Sequence, residues 1–123
     1  MIKIAIIGQS NFGENVASEI SKIDDCAIVG IFTPPNQDKD PLYQFGTTNN
    51  INVLRFDKLR SKTAIKEFIK LKVDLLVMAY VTDIVPMEII NNPNKGTIQY
   101  HPSLLPKHRG PSSINWAIIN GDN

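Results

Sequence analysis

Cysteine is almost absent: Cys26 stands alone among 123 residues, so no internal disulfide can form. It adjoins the apolar run Ala27-Ile28-Val29, which predicts a reduced, buried thiol and points to a cytoplasmic protein. Net charge is nearly absent too. Thirteen Lys and Arg face twelve Asp and Glu, a formal balance of +1, so no overall field draws the chain to nucleic acid or to an anionic membrane. Long hydrophobic runs are missing as well. The apolar stretch Ile4-Ala5-Ile6-Ile7 is far shorter than a signal-peptide core and runs straight into turn chemistry at Gly8. No stretch approaches the length of a membrane span. These absences predict a soluble protein with no membrane partner. Neither an internal repeat nor a linker breaks the chain, and its length suits one domain over residues 1–123.

What is present is a regular alternation of apolar runs and amphipathic segments, with 42% hydrophobic residues to build one core. Strands are predicted at 4–7, 27–33, 51–54, 74–79 and 96–100, the second stopped by Pro34 and Pro35. Helices are predicted at 11–20, with Phe12, Val16, Ala17 and Ile20 on one face, and at 63–71, with Ile65, Phe68 and Ile69 inward. A short helix opens at Asp40-Pro41, with Asp40 as its cap, and another spans at most 86–90. A last helix is predicted over 111–120, with Ile114, Ala117 and Ile118 on one face and Gly121 past its end. Strands and helices alternating over short connections predict an α/β fold: a doubly wound, mostly parallel, Rossmann-like sheet with helices on both faces. Because the chain stops directly after a predicted helix, at Asp122-Asn123, the fold is expected to be truncated at its C-terminus. An incomplete sheet edge would then favour self-association.

Several motifs were weighed for chemistry. The first turn, Gly8-Gln9-Ser10-Asn11-Phe12-Gly13, lacks the Gly-Lys-Ser/Thr of a phosphate-binding Walker loop. A dinucleotide fingerprint is disfavoured on two grounds: the third glycine is missing, and Thr33-Pro34 stands where an acidic residue belongs. Gly8 is therefore read as a tight strand-to-helix turn, with Ser10 or Asn11 capping the helix. Lys58, Arg60, Lys62, Lys66, Lys70 and Lys72, diluted by Asp57 and Glu67, read as a solvated helix face and not as a nucleic-acid patch. No metal ligand set is assigned. The informative segment is Gly96 to Gly110. His101 follows a strand at its carboxyl end, where open α/β sheets build their sites, and Pro102 and Pro106 stiffen the exit loop. From position alone, His101 is open to a structural or a catalytic reading. His108, between two cations, reads as solvent-facing.

The run His101-Pro102-Ser103-Leu104-Leu105-Pro106, followed by Arg109-Gly110, resembles the signature of the folate-dependent formyltransferase family. The resemblance extends through Gly8-Gln9-Ser10, Phe12-Gly13, Ile31-Phe32-Thr33, Asp40-Pro41-Leu42, Val85-Pro86-Met87-Glu88-Ile89-Ile90 and Ile114-Asn115-Trp116. Within the family it is nearest to the hydrolase domain of 10-formyltetrahydrofolate dehydrogenase. The resemblance implies an enzyme that uses 10-formyltetrahydrofolate, either hydrolysing it or passing its formyl group to an acceptor. It implies His101 as the acid–base group, and backbone groups of Asp83, Ile84 and Val85 as the reader of the folate pterin. Two departures matter. Gln99 stands where the synthetic transferases carry an asparagine, so its carboxamide sits on a stem one methylene longer. The family's catalytic aspartate falls beyond residue 123, and Asp122 is too early to replace it, so low activity is expected of this chain alone. Methionyl-tRNA or sugar N-formyltransfer is the alternative within the family, and a non-catalytic folate-binding fragment is the alternative of another class.

Overall fold

The structure, a computed structural model, describes residues 1–102 and 114–119. The elements run β1 (Ile2–Gly8), α1 (Ser10–Ser21), β2 (Cys26–Thr33), α2 (Pro41–Thr48), β3 (Val53–Arg55), α3 (Lys62–Lys70), β4 (Leu75–Ala79), α4 (Met87–Ile90), β5 (Thr97–Pro102) and β6 (Ile114–Ile119). They form one sheet in the order β3-β2-β1-β4-β5-β6. The first five strands in that order are parallel, and β6 is antiparallel to β5. The order reverses beside β1, between its neighbours β2 and β4, which is the switch point where open α/β sheets leave a crevice.

The unbroken apolar run of β1 makes sense because both of its faces are covered. Ile4 and Ile6 join Val16, Ala17, Ile31, Leu42, Val77 and Ala79 beneath α1 and α2. Ala5 and Ile7 point the other way and join Phe32, Phe68, Leu76, Met78 and Ile89 beneath α3 and α4. The period of two in the strand thus separates two cores. The doubly wound, mostly parallel α/β architecture is the one the alternating pattern predicts.

Asp40 does more than the sequence pattern assigns to it. As the cap of α2, it accepts from the N–H groups of Leu42 (3.0 Å) and Tyr43 (3.2 Å) through Oδ2, with Pro41 opening the helix. Its Oδ1 accepts from the Ser10 N–H at 2.7 Å, thirty residues away. Ser10 itself sits in the left-handed region at φ 67°. The expectation that Ser10 or Asn11 caps α1 is therefore corrected: the cap position is Gln9, without a side-chain cap bond, and the orphan donor at Ser10 is met by Asp40. Asp40→Ala removes three acceptor contacts and leaves part-buried donors unpaired. It is expected to lower stability by about 2 kcal/mol in urea unfolding, and Asp40→Asn by less, because one carboxamide oxygen remains an acceptor.

Three other expectations change. Residues 111–120 were predicted helical, yet Ile114–Ile119 form β6, paired Tyr100↔Trp116 and His101↔Asn115. A short apolar run fits either period, Ile and Trp favour a pleated surface, and pairing supplies partners for the outer side of β5. Among the described residues, β6 is therefore the outermost strand on that side of the sheet. In α3, Ala64 and Phe68 are buried, whereas Ile69 is 44% exposed. Ile69 lies five residues after Ala64, which turns it by roughly 140° off the buried stripe. Finally, Cys26 is a free cysteine and half-buried, since it starts β2 at the margin of the sheet and not within it.

Candidate active site at the carboxyl edge of the sheet

The carboxyl ends of β1, β2, β3 and β4 surround a cleft of about 220 Å³. Its walls include Phe32, Pro34, Pro35, Phe56 and Leu59, and Gln9, Asp57, Tyr80, Thr82 and Asp83 bring polar groups to it. Phe32 stacks on Phe56 with ring centroids 6.2 Å apart, which fixes one wall. The turn from β1 into α1 comes close to the end of β4. A Cβ on Gly8 would overlap the Ala79 carbonyl, so glycine is required for that approach. The Gln9 N–H then donates to the same carbonyl at 3.3 Å, and Gln9 Nε2 donates to Thr82 Oγ1 at 3.0 Å. The switch-point crevice is thereby bridged between the β1–α1 turn and the loop that leaves β4.

That loop begins at Tyr80, which adopts φ 64° and turns the chain sharply out of the strand. Asp83 is half-buried and both oxygens of its carboxylate accept: Oδ2 from the Leu59 N–H at 2.8 Å, and Oδ1 from the Ile84 N–H at 2.7 Å. Ile84 is 64% exposed, and Val85 is half-buried against the α3–α4 core. Tyr80, Ile84 and Met87 together present large exposed apolar side chains along this stretch.

β5 lies beside β4 in parallel register, with Gln99 opposite Met78 and Tyr100 opposite Ala79. The His101 backbone follows Tyr100 at the carboxyl end of β5, one strand over from the loop that holds Asp83, Ile84 and Val85. Gln99 is half-buried, two positions earlier in the same strand. Thr97, two positions earlier again, is fully buried and donates to the Ile90 carbonyl at 2.7 Å, which locks α4 onto β5. Tyr100, on the opposite face, meets Phe12 of α1 with ring centroids 4.8 Å apart. The sequence-predicted site residues thus share one sheet edge. The side chain of His101 and residues 103–113, including His108 and the motif from Ser103 to Gly110, lie outside the described residues.

Sequence reasoning missed the Gln9–Thr82 bridge and the bond from the Leu59 N–H to the Asp83 carboxylate. Their partners are separated by 73 and 24 residues, and no local pattern signals such a pair. The basic stretch behaves as expected: Lys58, Arg60, Lys62, Lys66, Lys70 and Lys72 are all exposed, and Lys70 pairs with Glu67 at 3.4 Å. Among the described residues, no group of His, Cys, Asp and Glu is arranged to hold a metal, and no helix is long and apolar enough to cross a membrane.

Comparison with known proteins places this geometry among relatives. A family profile described as formyl transferase matches residues 2–123. The chain is 40% identical to mouse cytosolic 10-formyltetrahydrofolate dehydrogenase across 98% of its own length and 14% of that protein's. It is 35% identical to methionyl-tRNA formyltransferase of Clostridium tetani, over 99% of this chain and 42% of the relative. In solved structures the fold matches phosphoribosylglycinamide formyltransferase of Campylobacter jejuni, with a TM-score of 0.68 at 18% identity, covering 98% of this chain and 75% of that one. The chain therefore spans about a seventh of the dehydrogenases it resembles.

Proposed function

The chain belongs to the formyl transferase family, and from that membership we propose that it binds 10-formyltetrahydrofolate and releases its formyl group, to water in preference to an amine. The observation that carries this reading is the juxtaposition at one sheet edge. Tyr100-His101-Pro102 ends β5, and the loop with Asp83, Ile84 and Val85 leaves the neighbouring strand β4. The higher identity to the dehydrogenases than to the tRNA enzyme, and Gln99 in place of an asparagine, support the hydrolytic branch.

The chemistry sets the roles. Water attacks the formyl carbon, the carbonyl oxygen becomes an oxyanion, and the C–N10 bond breaks as N10 takes up a proton. Formate and tetrahydrofolate leave. His101 is the group assigned to donate to the oxyanion and to deliver that proton, and the Gln99 carboxamide is assigned to polarise the formyl oxygen. Backbone groups of Asp83, Ile84 and Val85 read the pterin, a mode that depends little on side-chain identity. The partner is a small folate. Nucleic acid and membranes are not required by this reading, and a reducing compartment such as the cytoplasm accords with the free thiol of Cys26.

The test is to incubate a form of the protein extended beyond residue 123 with 10-formyltetrahydrofolate and to measure formate and tetrahydrofolate together. Equal yields in the absence of any amine are expected. Turnover that begins only when methionyl-tRNA or an amino sugar is supplied would move the assignment to the transferase branch. Folate binding without turnover would mark a binding module.

A further inference from the structure

We infer that Arg55, at the end of β3, is a positioning residue that holds the loop after β2, so that Pro34 and Pro35 form a fixed wall of the cleft. The inference rests on the folate reading above and deepens it. Its motive is a conflict in the packing. Thr33 and Arg55 are register partners on β2 and β3. They follow Ile31 and Val53 by two positions and so share the face that packs under α1 and α2. Thr33 Oγ1 and Arg55 Nε are both buried there without a hydrogen-bond partner among the described residues. A buried polar atom left unpaired destabilises a fold, and a methionine at position 55 would occupy similar space without that penalty. Local conflicts of this kind mark positions that serve something besides stability.

The rest of the guanidinium shows what it serves. Its central carbon lies 3.7 Å from the centre of the Tyr43 ring in α2. One terminal nitrogen, Nη2, donates to Asp38 Oδ1 at 2.7 Å. Asp38 belongs to the loop between β2 and α2, and its carbonyl accepts from Gln44 Nε2 at 3.1 Å. That loop starts with Pro34 and Pro35 on the cleft and turns at Asn36, which adopts φ 63°. It ends at Asp40, whose carboxylate holds the Ser10 N–H of the β1–α1 turn. Proline cannot adjust its φ to a ligand, so the wall stands wherever the loop is anchored. Arg55 and Gln44 anchor it between its ends. Because the loop is held in the protein without ligand, binding need not order it. The Asp38 side chain is 76% exposed, so the ion pair itself adds little to folding.

Stability and binding should therefore separate. Variants are compared in a form of the protein extended beyond residue 123. Arg55→Met keeps an apolar stem and removes the guanidinium, Arg55→Lys keeps the charge and loses the fork, and Asp38→Asn removes the partner's charge at the surface. Lys70→Ala, which breaks the Lys70–Glu67 pair on α3, is the control. The readouts are the urea midpoint, exchange of the Asp40 amide that donates to the Gln37 carbonyl, tetrahydrofolate affinity by calorimetry, and kcat and KM for deformylation. Arg55→Met is expected to keep or raise the urea midpoint and to exchange the Asp40 amide faster. Its dissociation constant and KM should rise roughly fivefold, about the most that a surface ion pair supplies. Its kcat should stay within about twofold, because the loop contributes binding and not chemistry. Asp38→Asn should weaken binding as much, Arg55→Lys should fall between, and Lys70→Ala should bind as the unchanged protein does. A lower midpoint with unaltered affinity would make Arg55 structural and overturn the inference, as would affinity lost to the same extent in Lys70→Ala. If the unchanged protein binds no tetrahydrofolate, the folate reading falls. Faster Asp40 exchange in Arg55→Met would then still support the anchored loop, and unaltered exchange would overturn it.

Discussion

Replacement of His101 by alanine is expected to abolish most release of formate from 10-formyltetrahydrofolate while folate affinity stays within about twofold of the original. Loss of a positioned acid–base group typically lowers rate by ~10²–10⁴. The pterin contacts assigned above are backbone groups on the neighbouring loop, so they should survive the change. The measurement is kcat and KM for deformylation, beside the dissociation constant of tetrahydrofolate. It should be made on the longest form of the protein that shows turnover, because the chain spans only 14% of the dehydrogenases it resembles. A fall in kcat with unaltered binding matches a group that acts mainly in the transition state. Parallel loss of rate and affinity would mean that His101 supports the architecture of β5, and the acid–base role would pass to another residue.

Phe68→Ala is expected to be the most destabilising truncation in the α3 layer. Phe68 is fully buried, and its ring lies 5.7 Å from that of Phe32, tilted by 49°. It packs in the cluster that contains Leu76, Met78 and Ile89. Truncation removes apolar contact and leaves a cavity that β4 and α4 can only partly close, at a cost of about 3–5 kcal/mol. Native domains hold only about 5–15 kcal/mol in reserve. Urea unfolding should therefore show a large fall in midpoint with little change in slope. Phe32 also forms part of the cleft wall, so the same variant should bind tetrahydrofolate more weakly even where it remains folded. A loss below about 1 kcal/mol would show that the layer can repack around the missing ring.

Much of the fold was legible in advance. β1 and β4 are continuous apolar runs of the length that doubly covered strands require, and the periods in 11–20 and 63–71 are those of amphipathic helices. Asp40-Pro41 carried its own start signal, and the structure puts the cap there. The misreadings share a cause. Ile69 was assigned inward because apolar residues within one turn cannot be ranked until the helix has been docked. The segment Ile114–Ile119 was read as helix because six residues with four apolar aliphatics fit either period. In each case a neighbouring element decided the outcome.

The candidate site divides along the same line. By itself the sequence determined a parallel α/β sheet, the strand-end position of His101, Gln99 two residues before it, and membership of a family. Those features are written in local composition, spacing and a contiguous motif. Only the tertiary structure decided that the Asp83 carboxylate holds the Leu59 N–H, that Gln9 reaches Thr82, and that Asp40 satisfies Ser10. The physical reason is that a polar side chain can meet any of many backbone donors at comparable energy. Its partner is settled by which loops the packed sheet brings within 3 Å or so, and that proximity follows from strand order and not from any stretch of neighbouring residues.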